Sequence, residues 1–443
     1  MNRINVNNVL GNSKFNSFFL ATFILSFFII IFDGFDMAVF GSTLPSLLKD
    51  WGLSPAQGGV FASVATTGMI VGSVIIGFFA DRYGRKTMLV VGIIAYSIFT
   101  GMCGMVTSLP VFVICRFFAG VGIASVVPLV STIINEYSPK KNRNLMGIAT
   151  YAANAIGMAL VFFVALIVIS RLGWQAMYLL GLVGLVLLLF FPRYPESMSI
   201  LLRRGQIDKV THLLEKADPN FKKSPDDEYT RDDIGVAVGK KVPVLHIFQG
   251  DMRRMTILIT IVMFFNFWVN FGMSTWMPQL MGAMNYNLPG LLFTSVYYLG
   301  AVAGLLCAGT AANKFGIKIV LALCLIGAAV LVLIATYPMD QTVFTILLFF
   351  VGALININTP MGIPFATQCF PIHMRGAAMG TVTALGRIGS VVSPIVIGVF
   401  VGMGWPAPMI FRLFMIPLLI VALCLFLIKG DPSNHTKAAQ QDN

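Results

Sequence analysis

Twelve apolar runs are separated by short polar turns along the chain: 18–44, 58–79, 87–107, 109–134, 145–170, 174–191, 255–281, 290–312, 317–337, 341–366, 376–402 and 409–428. At about 1.5 Å per helical residue, each can cross a hydrocarbon core of roughly 30 Å. The pattern predicts an all-α membrane protein of twelve transmembrane helices. One long polar interval, 192–254, divides the runs six and six. The predicted organisation is an N-terminal tail 1–17, a six-helix bundle 18–191, a linker 192–254, a second six-helix bundle 255–428 and a tail 429–443.

Composition strengthens this picture. Of 443 residues, 57% are hydrophobic and 11% charged, against about 25% charged in a soluble domain. The net charge of +12 is spread over membrane-flanking loops, which excludes a nucleic-acid patch. One set of loops holds Arg3, Lys14, Arg82, Arg85, Lys86, Lys140, Lys141, Arg143, the residues of 193–254, Lys314, Lys318, Arg375, Lys429 and Lys437. The opposite set holds Lys49 and Arg171, with Arg412 close by. Basic loops stay inside, so both termini are expected in the cytoplasm. Residues 1–17 lack the apolar core and cleavage site of a removable signal. The six cysteines lie in or beside apolar runs without metal or disulfide spacing and read as small hydrophobes.

Two carboxylates break the first run. Asp33 and Asp36 sit in Asp33-Gly34-Phe35-Asp36, on one helical face at i and i+3, and no other predicted span contains an acid. An Asp at the centre of a membrane helix costs roughly 2.5–3.5 kcal/mol, so it is expected to face a polar cavity and carry function. The expected role is proton carriage, with the proton as coupling ion and no other cofactor.

The halves repeat. Gly77, Asp81, Gly84 and Lys86 reappear as Gly309, Asn313, Gly316 and Lys318, and 309 − 77 = 232. The same offset carries Gly120 to Gly352, Pro128 to Pro360, Pro139 to Pro371 and Arg143 to Arg375. Ungapped matches at one offset point to a duplicated six-helix unit. In the linker, Leu201, Leu202, Ile207, Val210, Leu213 and Leu214 predict a short amphipathic helix, followed by an acidic cluster at Asp226, Asp227, Glu228, Asp232 and Asp233 within a flexible connection.

The loop Gly77-Phe78-Phe79-Ala80-Asp81-Arg82-Tyr83-Gly84-Arg85-Lys86 allows a tight turn at its glycines. Asp81 is expected near the positive N-terminus of the next helix, and the basic residues on neighbouring carboxylates. With its copy at Asn313-Lys314-Phe315-Gly316-Ile317-Lys318, the loop resembles the signature of the major facilitator superfamily. Arg116-Phe117-Phe118-Ala119-Gly120-Val121-Gly122 and Glu136-Tyr137-Ser138-Pro139-Lys140-Lys141-Asn142-Arg143 are similar to further superfamily motifs. The fifth span reads Asn154-Ala155-Ile156-Gly157 where antiporters carry a Gly-Pro-rich pattern. The resemblance implies two bundles rocking about a central cavity lined by spans 1, 4, 7 and 10, with the signature loop acting as a cytoplasmic latch.

Helical rise places Asp33 roughly 22 Å and Arg116 roughly 21 Å above the cytoplasmic boundary. If both face the cavity, Arg116 can pair with an ionised Asp33 or Asp36. A nearby cation favours the charged carboxylate and burial the neutral one, so changing that distance can drive proton exchange; a permanent structural ion pair is the alternative. Arg387, in Gly386-Arg387-Ile388-Gly389, lies near the midplane, where its fork suits a carboxylate and the flanking glycines are expected to leave room for a ligand. Bonding to backbone carbonyls is the alternative. Asn266 and Asn270 share a face at i and i+4, and Asn356 with Asn358 interrupts the tenth span; all can bond a polar ligand. Aromatic side chains around Phe264–Trp276 can form a pocket wall.

Asp33-Gly34-Phe35-Asp36, Glu136-Tyr137-Ser138-Pro139, Pro195-Glu196-Ser197 and Gly386-Arg387-Ile388-Gly389 together resemble the aromatic acid:proton symporters. That resemblance implies import of a benzoate-, hydroxybenzoate- or muconate-type acid across the inner membrane by a monomer. It implies required acids at Asp33 and Asp36 and positions important for function or gating at Asp81, Arg85, Glu136, Arg375 and Arg387, with Arg82 and Arg143 in the same gating loops. The fourth span departs from the family pattern at Ala124-Ser125 and Pro128-Leu129. An enzyme is excluded because His212, His246, His373 and His435 fall in loops or tail without metal spacing. A sugar or organic-cation carrier of the same superfamily, or a non-transporting sensor on that fold, are the alternative readings.

Overall fold

A computed structural model describes residues 2–219, 221, 227–230, 244–284, 286–371 and 374–428. The tail 429–443, His373, and Asp226, Asp232 and Asp233 of the acidic cluster lie outside the described residues, as does the connection around them. Among the described residues, twelve helices are long and apolar enough to cross a membrane. They are α1 (Ser17–Asp50), α2 (Pro55–Tyr83), α3 (Arg85–Cys103), α4 (Leu109–Glu136), α5 (Arg143–Leu172), α6 (Gln175–Arg193), α7 (Met252–Gly282), α8 (Gly290–Ala312), α9 (Ile317–Ile334), α10 (Gln341–Gln368), α11 (Arg375–Gly402) and α12 (Ala407–Leu427). Each coincides with a predicted run, with α1 and α2 extended into the turns.

The 232-residue repeat is written into the packing. In lipid, helices have no hydrophobic force between them, so close approach at small residues carries association. A Cβ at Gly68 of α2 would sit 2.1 Å from the carbonyl oxygen of Phe117 in α4, and one at Gly72 2.4 Å from that of Val121. The counterparts are Gly300 of α8 against the Phe349 oxygen of α10 (1.9 Å) and Gly304 against that of Ala353 (2.2 Å). All four residue pairs obey the offset, as in 300 − 68 = 232 and 349 − 117 = 232. The tight turns repeat too: Gly84 has φ +100° and Gly316 φ +86°, a region that L side chains rarely adopt. Both α4 and α10 are interrupted mid-span, at Ala124–Ser125 and at Ile357, and 357 − 125 = 232.

The residues group into two compact units. One comprises Met1–Asp33, Gly68–Asn154 and Tyr178–Lys241; the other comprises Gly34–Thr67, Ala155–Met177 and Val242–Asn443. The division runs through α1, α2, α5 and the start of α6 rather than between the halves of the repeat. Within the second unit, parts of α1 and α2 lie against α7 and α11 at backbone distance. A Cβ at Gly41 would meet the Ser274 oxygen at 2.0 Å, one at Gly59 the Pro394 oxygen at 2.3 Å, and Ser63 Oγ donates to the Val391 carbonyl at 2.6 Å.

Three segments differ from the sequence expectation. Residues expected as an N-terminal tail include strand β1 (Asn2–Asn5), parallel to β2 (Asp227–Thr230), and a helix Val6–Asn12 capped by the Asn5 side chain. The amphipathic linker helix is split into Met198–Arg203 and Ile207–Ala217, because Gly205 turns the chain at φ +64°. From Leu180 to Arg193, α6 winds as a 3-10 helix. Its threefold period buries Gly181, Gly184 and Leu187 and exposes Val183, Val186 and Leu189. At about 2.0 Å per residue, this lets a short run reach further than an α-helix.

Gly68→Val should cost about 3 kcal/mol or more, since backbone cannot move aside for a side chain. Gly77, where an added Cβ would meet nothing within 4 Å, should accept Ala without loss. Folded yield and thermal midpoint in detergent check both.

Candidate functional site: a buried carboxylate and its polar surroundings

Asp33 is fully buried and Asp36 is 1% exposed, although both lie in an apolar helix. In the first unit, Asn154 Nδ2 of α5 donates to Asp33 Oδ2 at 3.0 Å. Arg116 of α4, 3% exposed, belongs to the same unit, with its Cζ 5.9 Å from the centre of the Tyr178 ring. The first unit thus holds an acid hydrogen-bonded to an amide, where a proton added to or removed from the carboxylate changes the local charge, and it also holds a buried cation. Asp36 belongs to the second unit. Asn154 was visible in the sequence only as part of the fifth span's departure from the antiporter pattern. A lone polar residue in an apolar run is the signal that points to it.

The signature loop forms a second cluster, around Glu136 at the end of α4. Arg85 Nη1 lies 2.5 Å from Glu136 Oε1. That oxygen also accepts from Ser197 Oγ at 3.0 Å and Ser199 Oγ at 3.2 Å, while Oε2 accepts from the Met198 amide at 3.0 Å. The expected pairing of a basic residue with a neighbouring carboxylate is therefore present. Asp81 is exposed, and the carboxylate that bonds the first amides of α3 is that of Glu196. Its Oε1 accepts from the amides of Arg85 at 2.9 Å and Lys86 at 3.0 Å. Glu196 lies 111 residues from Arg85, so local spacing could not reveal the cap, whereas a carboxylate at a helix start meets both open amides and the dipole. Lys86 Nζ donates to the Tyr194 oxygen, and Tyr137 Oη to that of Glu196, which ties the segment down further. Arg82 is exposed, with its carbonyl accepting from Arg204 at 2.7 Å.

Arg143 and Arg375, repeat partners, each clip their own loop. Arg143 Nη2 donates to the Ser138 oxygen at 3.3 Å and Arg375 Nε to the Phe370 oxygen at 3.0 Å, each five residues back.

In the second unit, Asn266 Oδ1 accepts from Asn270 Nδ2 at 2.9 Å and from Thr359 Oγ1 at 3.2 Å, joining α7 to α10. Asn356 Nδ2 donates to the Gly352 oxygen of its own helix at 3.0 Å. Arg387 is partly exposed. Its flanking glycines do not leave room for a ligand, contrary to the sequence expectation. A Cβ at Gly386 would meet Met263 Cβ at 2.5 Å, and one at Gly389 the Phe264 oxygen at 2.1 Å. They let α11 close on α7. Ser125, at the departure in the fourth span, faces α3, since a Cβ at Gly92 would lie 1.9 Å from its Oγ. Among the described residues, no three or more His, Cys, Asp or Glu side chains are grouped to hold a metal.

Among the described residues, twelve helices long and apolar enough to span a membrane, in two copies of a six-helix unit with buried acids and a buried arginine, define a multi-pass membrane protein. The family model of the major facilitator superfamily matches residues 26–295 and 288–443, and the chain belongs to that superfamily. It is 30% identical over 433 residues to the benzoate transport protein of Acinetobacter baylyi, covering 96% of this chain and 92% of that one. It is 27% identical over 410 residues to the 4-hydroxybenzoate transporter PcaK of the same organism, covering 91% and 89%. The inward-open xylose transporter XylE from E. coli superimposes with TM-score 0.73 at 18% identity, over 93% of this chain and 97% of that one; this likeness concerns the fold. The expected resemblance to aromatic-acid carriers is borne out, and these relatives are transporters rather than enzymes.

Glu196→Ala should lower stability by about 1–2 kcal/mol through loss of the α3 cap, while Asp81→Asn should stay within about 0.5 kcal/mol of the parent. Thermal unfolding in detergent separates the two carboxylates.

Proposed function

We propose that the protein is a proton-coupled importer of a small aromatic or related carboxylic acid, working by alternating access in the bacterial inner membrane with both termini in the cytoplasm. The observation that carries this reading is Asp33, an acid buried in a membrane helix beside the Asn154 amide. The carriers of benzoate and 4-hydroxybenzoate among its relatives support the substrate class.

From the outward-facing state, Asp33 or Asp36 takes a proton, and Arg387 or Arg116 receives the substrate carboxylate. Asn266, Asn270 and Asn356 serve polar groups on the ring. Cancelling both charges lowers the barrier to occlusion, because an unpaired charge in low dielectric is costly. Inward opening then rearranges the gating residues Asp81, Arg82, Arg85, Glu136, Arg143 and Arg375, and both cargoes leave. The working unit is the monomer, with no cofactor besides the proton.

Asp33→Asn should abolish accumulation driven by an acid-outside gradient in proteoliposomes while leaving counterflow exchange of the labelled acid measurable. Full gradient-driven accumulation in this variant would remove Asp33 as the proton carrier. Arg387→Ala should weaken binding of the carboxylate by about 10- to 100-fold, the range of a lost charge-assisted hydrogen bond. The uncharged amide analogue should lose far less. Equal losses for both ligands would assign Arg387 to structure. Uptake of aromatic, dicarboxylic and sugar compounds at two external pH values defines the cargo.

A further inference from the structure

A cavity of about 20 Å³ lies inside the second unit at the break of α10, among α7, α9, α10 and α12. Its walls are apolar, with Phe265, Leu325, Phe365 and Val421 among them, except for Asn266 and Asn358, which are each 6% exposed. The Asn266 amide divides its partners: Oδ1 accepts from Asn270 and Thr359, and Nδ2 faces the space beside Gly362, 3.8 Å from where a Cβ would stand. Asn358 Nδ2 donates back to the Ile355 oxygen at 2.8 Å. Among the described residues, Asn266 Nδ2 and Asn358 Oδ1 have no hydrogen-bond partner. A donor and an acceptor, each on a side chain more than nine-tenths buried, thus belong to the two polar residues that line a small apolar chamber.

The repeat explains why the chamber exists. Subtracting 232 places Val126 where Asn358 stands and Val130 where Gly362 stands, and both valines are completely buried. Leu89 and Ile93, the counterparts of Leu321 and Leu325, are completely buried as well. The second copy has therefore exchanged one valine for an amide and another for a glycine, which brings polarity and space to one point. A mere packing fault would need only the glycine.

We propose that this chamber is a binding site for one water molecule, donated to by Asn266 and accepted by Asn358, and that the water positions the Asn266–Asn270–Thr359 network. Size selects the ligand: a water needs roughly 10–15 Å³ of such space and 2–4 polar partners, and an aromatic ring needs far more. Chemistry selects it also, since the lining residues carry no charge and a neutral guest that both donates and accepts satisfies both amides. Turning either amide over exchanges donor for acceptor and leaves the site polar.

The test is a structure at a resolution that shows ordered waters, for the parent and for Gly362→Val, paired with uptake kinetics. Gly362→Val restores the residue of the first copy. The expected result is density within hydrogen-bonding distance of both amides in the parent, lost in the variant. The KM of the transported acid should rise several-fold while the folded yield holds. Gly362→Ala, whose Cβ would meet nothing closer than 3.8 Å, serves if valine prevents folding. A parent chamber without density, or an unchanged KM once the density is gone, overturns the proposal. The kinetic arm rests on the transport reading, and the density does not. Failure of the parent to carry any aromatic acid would therefore strike that reading and leave the density to decide the water site.

Discussion

The structure depends on holding a carboxylate in the apolar middle of α1. An isolated Asp at that depth costs roughly 2.5–3.5 kcal/mol, and a helix that spans lipid has no water with which to offset it. The chain answers with a polar group from another helix: the Asn154 amide of α5 donates to Asp33. Close approach of helices is a packing problem in its own right, met elsewhere in the chain by glycines that admit a neighbour's backbone. Gly68 and Gly72 seat α2 on α4, the helix that carries Arg116.

The two copies of the repeat share this scaffold and differ in what they place on it. The backbone contacts, the turn glycines, the helix breaks and the arginine clips at Arg143 and Arg375 recur at the same offset. The charges do not. Position 33 becomes Phe265, position 116 becomes Leu348 and position 136 becomes Gln368. The second copy holds neutral amides instead, at Asn266, Asn270, Asn356 and Asn358. An ancestral bundle supplies the geometry twice, and divergence gives the first copy groups that change charge and the second groups that hydrogen-bond without doing so. In the proposed function, the acids that handle the proton belong to the first copy and the amides offered to the substrate to the second.

Much of the fold was legible because membrane spans are announced by long apolar runs, and the repeat because its matches need no gaps. Asp33 was legible for the same reason, as a charge where the pattern forbids one. The misreadings came from contacts between residues far apart in sequence. Asp81 stands four residues before Arg85, yet the α3 cap is Glu196, which arrives from beyond α6. Glycines beside Arg387 read equally as ligand space or as a helix seam, and only the position of Met263 and Phe264 decides for the seam. The 3-10 winding of α6 was hidden because an entirely apolar run shows no period. The strand Asn2–Asn5 was hidden because its partner lies more than two hundred residues away.

The central claim is that the Asp33 carboxyl gains and loses a proton as the carrier works. Infrared difference spectroscopy of the protein in lipid, recorded across pH with and without a bound aromatic acid, observes that group directly. A protonated-carboxyl band that titrates, moves with ligand and vanishes in Asp33→Asn is the predicted result. A carboxyl that keeps one protonation state at every pH, with and without ligand, would contradict it.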